Sequence, residues 1–196
     1  MEIGRVVGSH DHADYVVQVY GPAEIPRPPT QLDHAFARFV EIPIDQREAL
    51  IGVIYTTQLV NPEFGALGPR LSTPQELPVF SPDYLAETAT LIGVAIVGSV
   101  NGQGEQAIYD QGTPRLAASV DAPVHLLPDD RVMAFHHGDG QLHLSYFPRL
   151  LARPFPTLPD LLCDVIDRLI ASFPDERRRL EVARQNIRWR ATVQVR

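Results

Sequence analysis

The chain has 196 residues, 44% of them hydrophobic and 21% charged, with a net charge of −7. That is an ordinary globular mixture, long enough for one domain with a sizeable core or one domain plus a small appendage. All 17 basic residues are arginine, so these residues supply no Walker A lysine, no Schiff-base lysine and no kinase-type lysine.

No apolar run approaches the roughly 18–20 residues needed to span a bilayer. The first residues, MEIGRVVGSHD, lack the basic start and apolar stretch of a secretory signal. A cytoplasmic location without membrane contact is therefore expected. The charge is unevenly spread. Residues 174–196 hold seven arginines against Asp175, Glu176 and Glu181, a surplus of four positive charges. The remainder holds ten arginines against 21 acidic residues, a surplus of eleven negative charges. The body should repel a phosphate backbone, and the C-terminal segment could tolerate one.

In chain order, residues 2–8 (EIGRVVG) and 14–20 (DYVVQVY) are rich in valine, isoleucine and tyrosine, and Ser-His-Asp-His-Ala joins them. The pattern predicts a β-hairpin whose first strand ends at Gly8. Residues 21–31 carry four prolines and read as a loop. FARFVEI (36–42) and ALIGVIYTTQL (49–59) read as strands, the second buried on both faces for part of its length. Residues 61–80 form a second proline-rich loop, of a length that usually serves function or a partner. SPDYLAET (81–88) predicts one or two helical turns, with Ser81 as N-cap and Pro82 at the first position. LIGVAIVGSV (91–100) reads as a buried strand, NGQGEQ as a loop and RLAASV (115–120) as a returning extended segment. RVMAFHH (131–137) and QLHLSYF (141–147) flank Gly138-Asp139-Gly140, and Asp-Gly between apolar runs predicts a hairpin.

After Pro148 the period changes. In LPDLLCDVIDRLIASF (158–173), Leu162, Val165, Ile166, Leu169 and Ile170 recur at helical spacing. Pro174 interrupts the pattern and opens a second helix. The single cysteine, Cys163, has no disulfide partner in the sequence and should pack there as a small hydrophobe. The expected fold is mainly β: a small closed β-barrel of Greek-key type over 1–148 with long proline-rich loops. A pair of α-helices forms a C-terminal extension over 149–196. There is no internal repeat.

The order of the strands resembles the HAS barrel, found at the N-terminus of HerA-type DNA translocases and of rotary ATP synthase subunits. The matching pieces are Ile3-Gly4-Arg5-Val6-Val7-Gly8, Tyr15-Val16-Val17-Gln18-Val19, Phe39-Val40-Glu41-Ile42, Ile51-Gly52-Val53-Ile54 followed by Asn61-Pro62, and Leu91 to Gly98. Pro123 to Val132 is similar to the proline-containing return into the last barrel strand. The similarity covers about residues 2–135. In that family a RecA-like ATPase follows the barrel, whereas these residues hold no lysine for such a motor, so the resemblance implies a barrel without the ATPase, a non-enzymatic adaptor. Its implied partners are a HerA-type hexameric translocase and its NurA-type nuclease, in DNA end processing, repair or defence. Homo-oligomerisation, and DNA contact through the complex, are compatible with it.

Several residues invite chemical readings. His10, His12 and Asp14 are the candidate metal ligands, with Asp11 and the distant His136, His137 or His143 as supplements; zinc requires three or four such groups. No HExxH motif or cysteine pair accompanies them, and a solvated polar turn accounts for the same residues. Gly102-Gln103-Gly104-Glu105-Gln106-Ala107 fits a GxGxxG/A outline, but Gly112 and Pro114 follow where a crossover helix is required. Ser99 misses the GxSxG elbow by one position. No catalytic residue and no cofactor are expected. Arg177, Arg178, Arg184, Arg188 and Trp189 are the candidate contacts to a partner or to nucleic acid. The alternative for them is a solvated helix face with i,i+4 pairs such as Glu181 with Arg177, Trp189 pinning the last segment to the barrel. A barrel that binds nucleic acid directly through this segment is the second functional expectation.

Overall fold

The computed structural model describes residues 1–22, 24–61, 88–138, 140–153 and 156–194. The valine-rich start forms the predicted hairpin, β1 (Glu2–Asp11) with β2 (Asp14–Val19). β3 (Phe39–Pro43), β4 (Glu48–Val60) and β5 (Ala89–Asn101) follow as an antiparallel meander. Among the described residues β6 (Ile108–Asp110) pairs with β5 alone, and β7 (Pro123–Leu126) inserts between β1 and β3. Pairing of β2 with β5, from Asp14 opposite Ala95 to Val19 opposite Thr90, closes the ring. The result is a closed six-stranded antiparallel barrel, ordered β2-β1-β7-β3-β4-β5, with β6 as an extra strand on its wall.

β3 begins three residues later than its apolar run suggests. Ala37 sits in the left-handed region at φ 62°, which an extended strand cannot accommodate.

Period-two alternation divides the strands between two cores. Ile3, Val6, Tyr15, Val17, Val19, Val40, Ile42, Leu50, Ile54, Ile92, Val94, Ile96 and Val124 come from all six strands and fill the barrel interior. The intervening residues Phe39, Ala49, Ile51, Val53, Tyr55, Ala95 and Val97 point outward and meet the helices. Residues 49–55 are therefore buried on both faces, while residues 56–59 emerge into solvent. Each fully buried Ile, Leu or Val contributes roughly 1.5–3 kcal/mol, so β4 and β5 anchor both cores at once.

Two expected strands are corrected. RVMAFH is helical and His137 alone is extended: α1 runs Asp129–His136. Pro128 precedes its first turn, Asp129 and Asp130 complement the dipole, and Val132, Phe135 and His136 make one buried face. The expected hairpin with QLHLSYF shrinks to a two-residue ladder, β8 (His137–Gly138) with β9 (Gln141–Leu142); position 139 lies outside the described residues. α2 (Phe147–Leu151) starts where that second strand was to end. Pro123 to Leu126 is accordingly the last barrel strand itself, not a return into one. RLAASV forms no strand; the strand before it is β6, whose three residues are too few to show a period in the sequence.

Buried polar groups hold this corner. The Gln111 amide donates to the carbonyls of Phe135 (3.0 Å) and His143 (3.0 Å), and accepts from the Ser145 N–H (2.7 Å). His136 is fully buried. Its Nδ1–H donates to the Val132 carbonyl (2.7 Å), and the Tyr146 hydroxyl donates to Nε2 (2.9 Å). Gly98 lets the layers close: a Cβ there would lie 2.1 Å from the Asp110 carbonyl oxygen and 2.8 Å from the Phe135 ring.

The C-terminal helices are α3 (Leu158–Ser172) and, after a 3-10 turn at Pro174–Glu176, α4 (Arg177–Gln194). Leu161, Leu162, Cys163, Val165, Ile166 and Leu169 of α3 are buried in the core that β3, β4 and β5 share with α1 and α2. Cys163 is a packing residue, as expected. Arg168 donates to the Ala37 carbonyl (3.2 Å), and Arg131 makes a two-pronged ion pair with Glu41. Both contacts tie helices to the barrel wall. Among the described residues no helix is long and apolar enough to cross a membrane. The loop expected over 61–80 and the helical turns over 81–88 lie, but for residues 61 and 88, outside the described residues.

Candidate functional site

α4 packs along α3 through Leu180 and Ile187, seven residues apart and therefore on one face. Three arginines are committed to carboxylates. Arg177 pairs with Glu181 at 2.9 Å, the i,i+4 pair expected from spacing. Arg179 lies 3.7 Å from Glu176, and Arg184 reaches across to Asp167 of α3. The Glu181 carboxylate raises the Arg177 pKa further above its ordinary value. The last of these pairs joins two helices and has no local signature in the sequence.

On the opposite face the helix faces solvent. Trp189 is 67% exposed and Val182 54% exposed. The expectation that Trp189 pins the last segment to the barrel is corrected: among the described residues the buried positions of α4 are Leu180 and Ile187, and Trp189 falls on the far side. Arg178, Arg188 and Arg190 are exposed as well. Of the five residues singled out from sequence, Arg178, Arg188 and Trp189 belong to this outer surface. Arg177 and Arg184 serve structure.

The first hairpin carries the candidate metal ligands. β1 continues through His10 to Asp11, with register irregularities past Val6 and Ser9, so the turn is His12-Ala13 and not the whole Gly8–Tyr15 stretch. His10 is exposed. His12 Nε2–H donates to the Pro114 carbonyl (2.8 Å). Asp14 is buried, against the solvated turn expected. The Tyr55 hydroxyl donates to both its oxygens, at 2.9 and 3.1 Å. Arg153 stands 3.7 Å from Asp14 and 3.2 Å from Asp11, whose carboxylate also accepts from the Ala13 N–H (2.7 Å).

Burial pushes the Asp14 pKa up, opposed by the Tyr55 hydrogen bond and by Arg153. Burial, then the neighbouring carboxylate, raises the Tyr55 phenol. This cluster clamps the N-terminal hairpin to the C-terminal helical region. Among the described residues, no group of three or more His, Cys, Asp and Glu is placed to hold a metal ion. His136 uses both ring nitrogens in the core. His137 and His143 instead line an open cleft of about 420 Å³ with Asp110, Ser145 and Arg149. The GQGEQA segment makes a 3-10 turn at Gly104–Gln106, with Gly102 and Gly104 at positive φ. It is followed by β6, not by a crossover helix.

Comparison with curated proteins gives no match. A family model spans residues 1–196 in full, and the chain belongs to that family, Domain of unknown function (DUF8166).

Proposed function

We propose that this protein is a non-enzymatic docking module, a HAS-barrel-like adaptor. In this reading it assembles with a HerA-type hexameric DNA translocase and its NurA-type nuclease in DNA end processing, repair or defence. The observation that carries the reading is the closed six-stranded barrel. Its strands β1 to β5 contain, in the same order, five of the segments on which the resemblance rests, whereas Pro123 to Val132 forms the last barrel strand and the start of α1. Ring closure leaves few free backbone groups along the wall, so partners would be met by the loops, the short β6 edge and the outer helix. The chain brings no Walker A lysine of its own, which fits a partner that supplies the motor.

The test is reconstitution. The full chain is mixed at micromolar concentration with a HerA-type ATPase, with a NurA-type nuclease, and with both. A stable complex on size-exclusion chromatography, with a changed ATPase or nuclease rate, is expected. Separate elution from both proteins, with unaltered rates, refutes the adaptor reading.

A further inference from the structure

We propose that the outer face of α4 binds single-stranded nucleic acid, with Trp189 as a stacking platform and the exposed arginines beside it holding phosphates. The proposal stands independently of the adaptor reading. Arg178, Val182, Gln185 and Trp189 recur at i, i+4, i+7 and i+11, which puts them in one row along the helix. Arg188 and Arg190 flank Trp189 in sequence and project to either side of the row. Arg178 and Arg190 have no ion-pair partner among the described residues, whereas Arg177, Arg179 and Arg184 do. α4 as a whole carries six arginines against one glutamate.

Charge and shape together select the ligand. A cationic row calls for a polyanion, and a broad exposed indole calls for a flat, unstacked partner; a single strand offers both. A duplex hides its base faces in the stack. A second copy of the same face would set arginine against arginine. A lipid surface needs a continuous apolar face, but Leu180 and Ile187 are already buried against the core. The surplus of eleven negative charges on the rest of the chain confines the contact to this helix. The footprint is therefore small, and binding is expected to be weak and sensitive to salt.

Trp189 is the only tryptophan in the chain, so its emission reports the contact directly. The full chain is titrated with oligo-dT at low salt. Quenching is expected, and with three arginines engaged log K should fall against log[salt] with a slope of about −2. Trp189→Ala should weaken binding of a labelled oligonucleotide about tenfold. Arg178→Ala with Arg190→Ala should bring the slope to between about −1 and 0. The side chains are exposed, and unchanged circular dichroism verifies that the variants fold. The proposal is overturned if the oligonucleotide does not bind at low salt. Binding without a change in Trp189 emission also overturns it, as does tighter binding to duplex, to anionic vesicles or to an acidic peptide.

Discussion

His136 offers the sharpest test of how the helical corner is built. The ring is fully buried, edge-on to Phe39 (5.3 Å), Phe135 (5.0 Å) and Tyr146 (5.7 Å). Burial pushes its pKa down from 6.5 to about 4, partly offset by the hydrogen bond to Val132. Protonation would place a charge among aromatic rings and end the acceptance of the Tyr146 hydroxyl.

The sign follows from linkage. Between pH 6.5 and 4 the unfolded chain holds a proton on this residue that the folded chain does not, so stability falls as pH falls. The contribution is intact above pH 6.5. It should decline by about 2 kcal/mol at pH 5 and about 3 kcal/mol at pH 4. The urea midpoint would fall by roughly 1 M at pH 5. Asp14 works in the opposite sense, because its raised pKa makes the protonated form the better one in the fold. The measurement is therefore the difference in pH slope between the parent and His136→Gln, which cannot titrate. A flatter profile for the variant is expected. Parallel profiles between pH 7 and 4.5 would show that His136 is not held neutral in the core, and the reasoning fails.

Two further outcomes follow from close packing and from the hairpin clamp. Gly98→Ala places a methyl group against the Asp110 carbonyl and the Phe135 ring, and should cost about 2 kcal/mol, read as a lower Tm; an unchanged Tm would mean that β6 and α1 do not close on β5 as described. Arg153→Leu removes the cation from buried Asp14 and should cost about 2 kcal/mol, discounted for partial exposure. In the background of Asp14→Asn the same change should cost less than half as much, and strict additivity in the double-mutant cycle would sink the clamp.

Much of the site could be read locally, and the rest depended on distant partners. The Arg177–Glu181 pair is written in i,i+4 spacing. The exposure of Trp189 is not, because it depends on which face Leu180 and Ile187 bury against α3. Likewise His10, His12 and Asp14 look alike as polar residues in one short segment. Only the approach of Tyr55, Pro114 and Arg153, 41 to 139 positions away in sequence, gives them different environments.

Local pattern is enough to place the alternating strands of the first hairpin, the long apolar β4 and β5, and the helical period after Pro148. These are properties of neighbouring residues, set by local backbone geometry and side-chain spacing. Tertiary structure decided the rest. Seven residues such as RVMAFHH are too few for their period to separate helix from strand; packing of Phe135 beneath Gly98 and of His136 against Phe39 and Tyr146 selected the helix. Closure of the barrel rests on β2 meeting β5, from Asp14 opposite Ala95 to Val19 opposite Thr90. That register joins segments more than 70 residues apart, and burial of both faces of β4 and β5 follows from it.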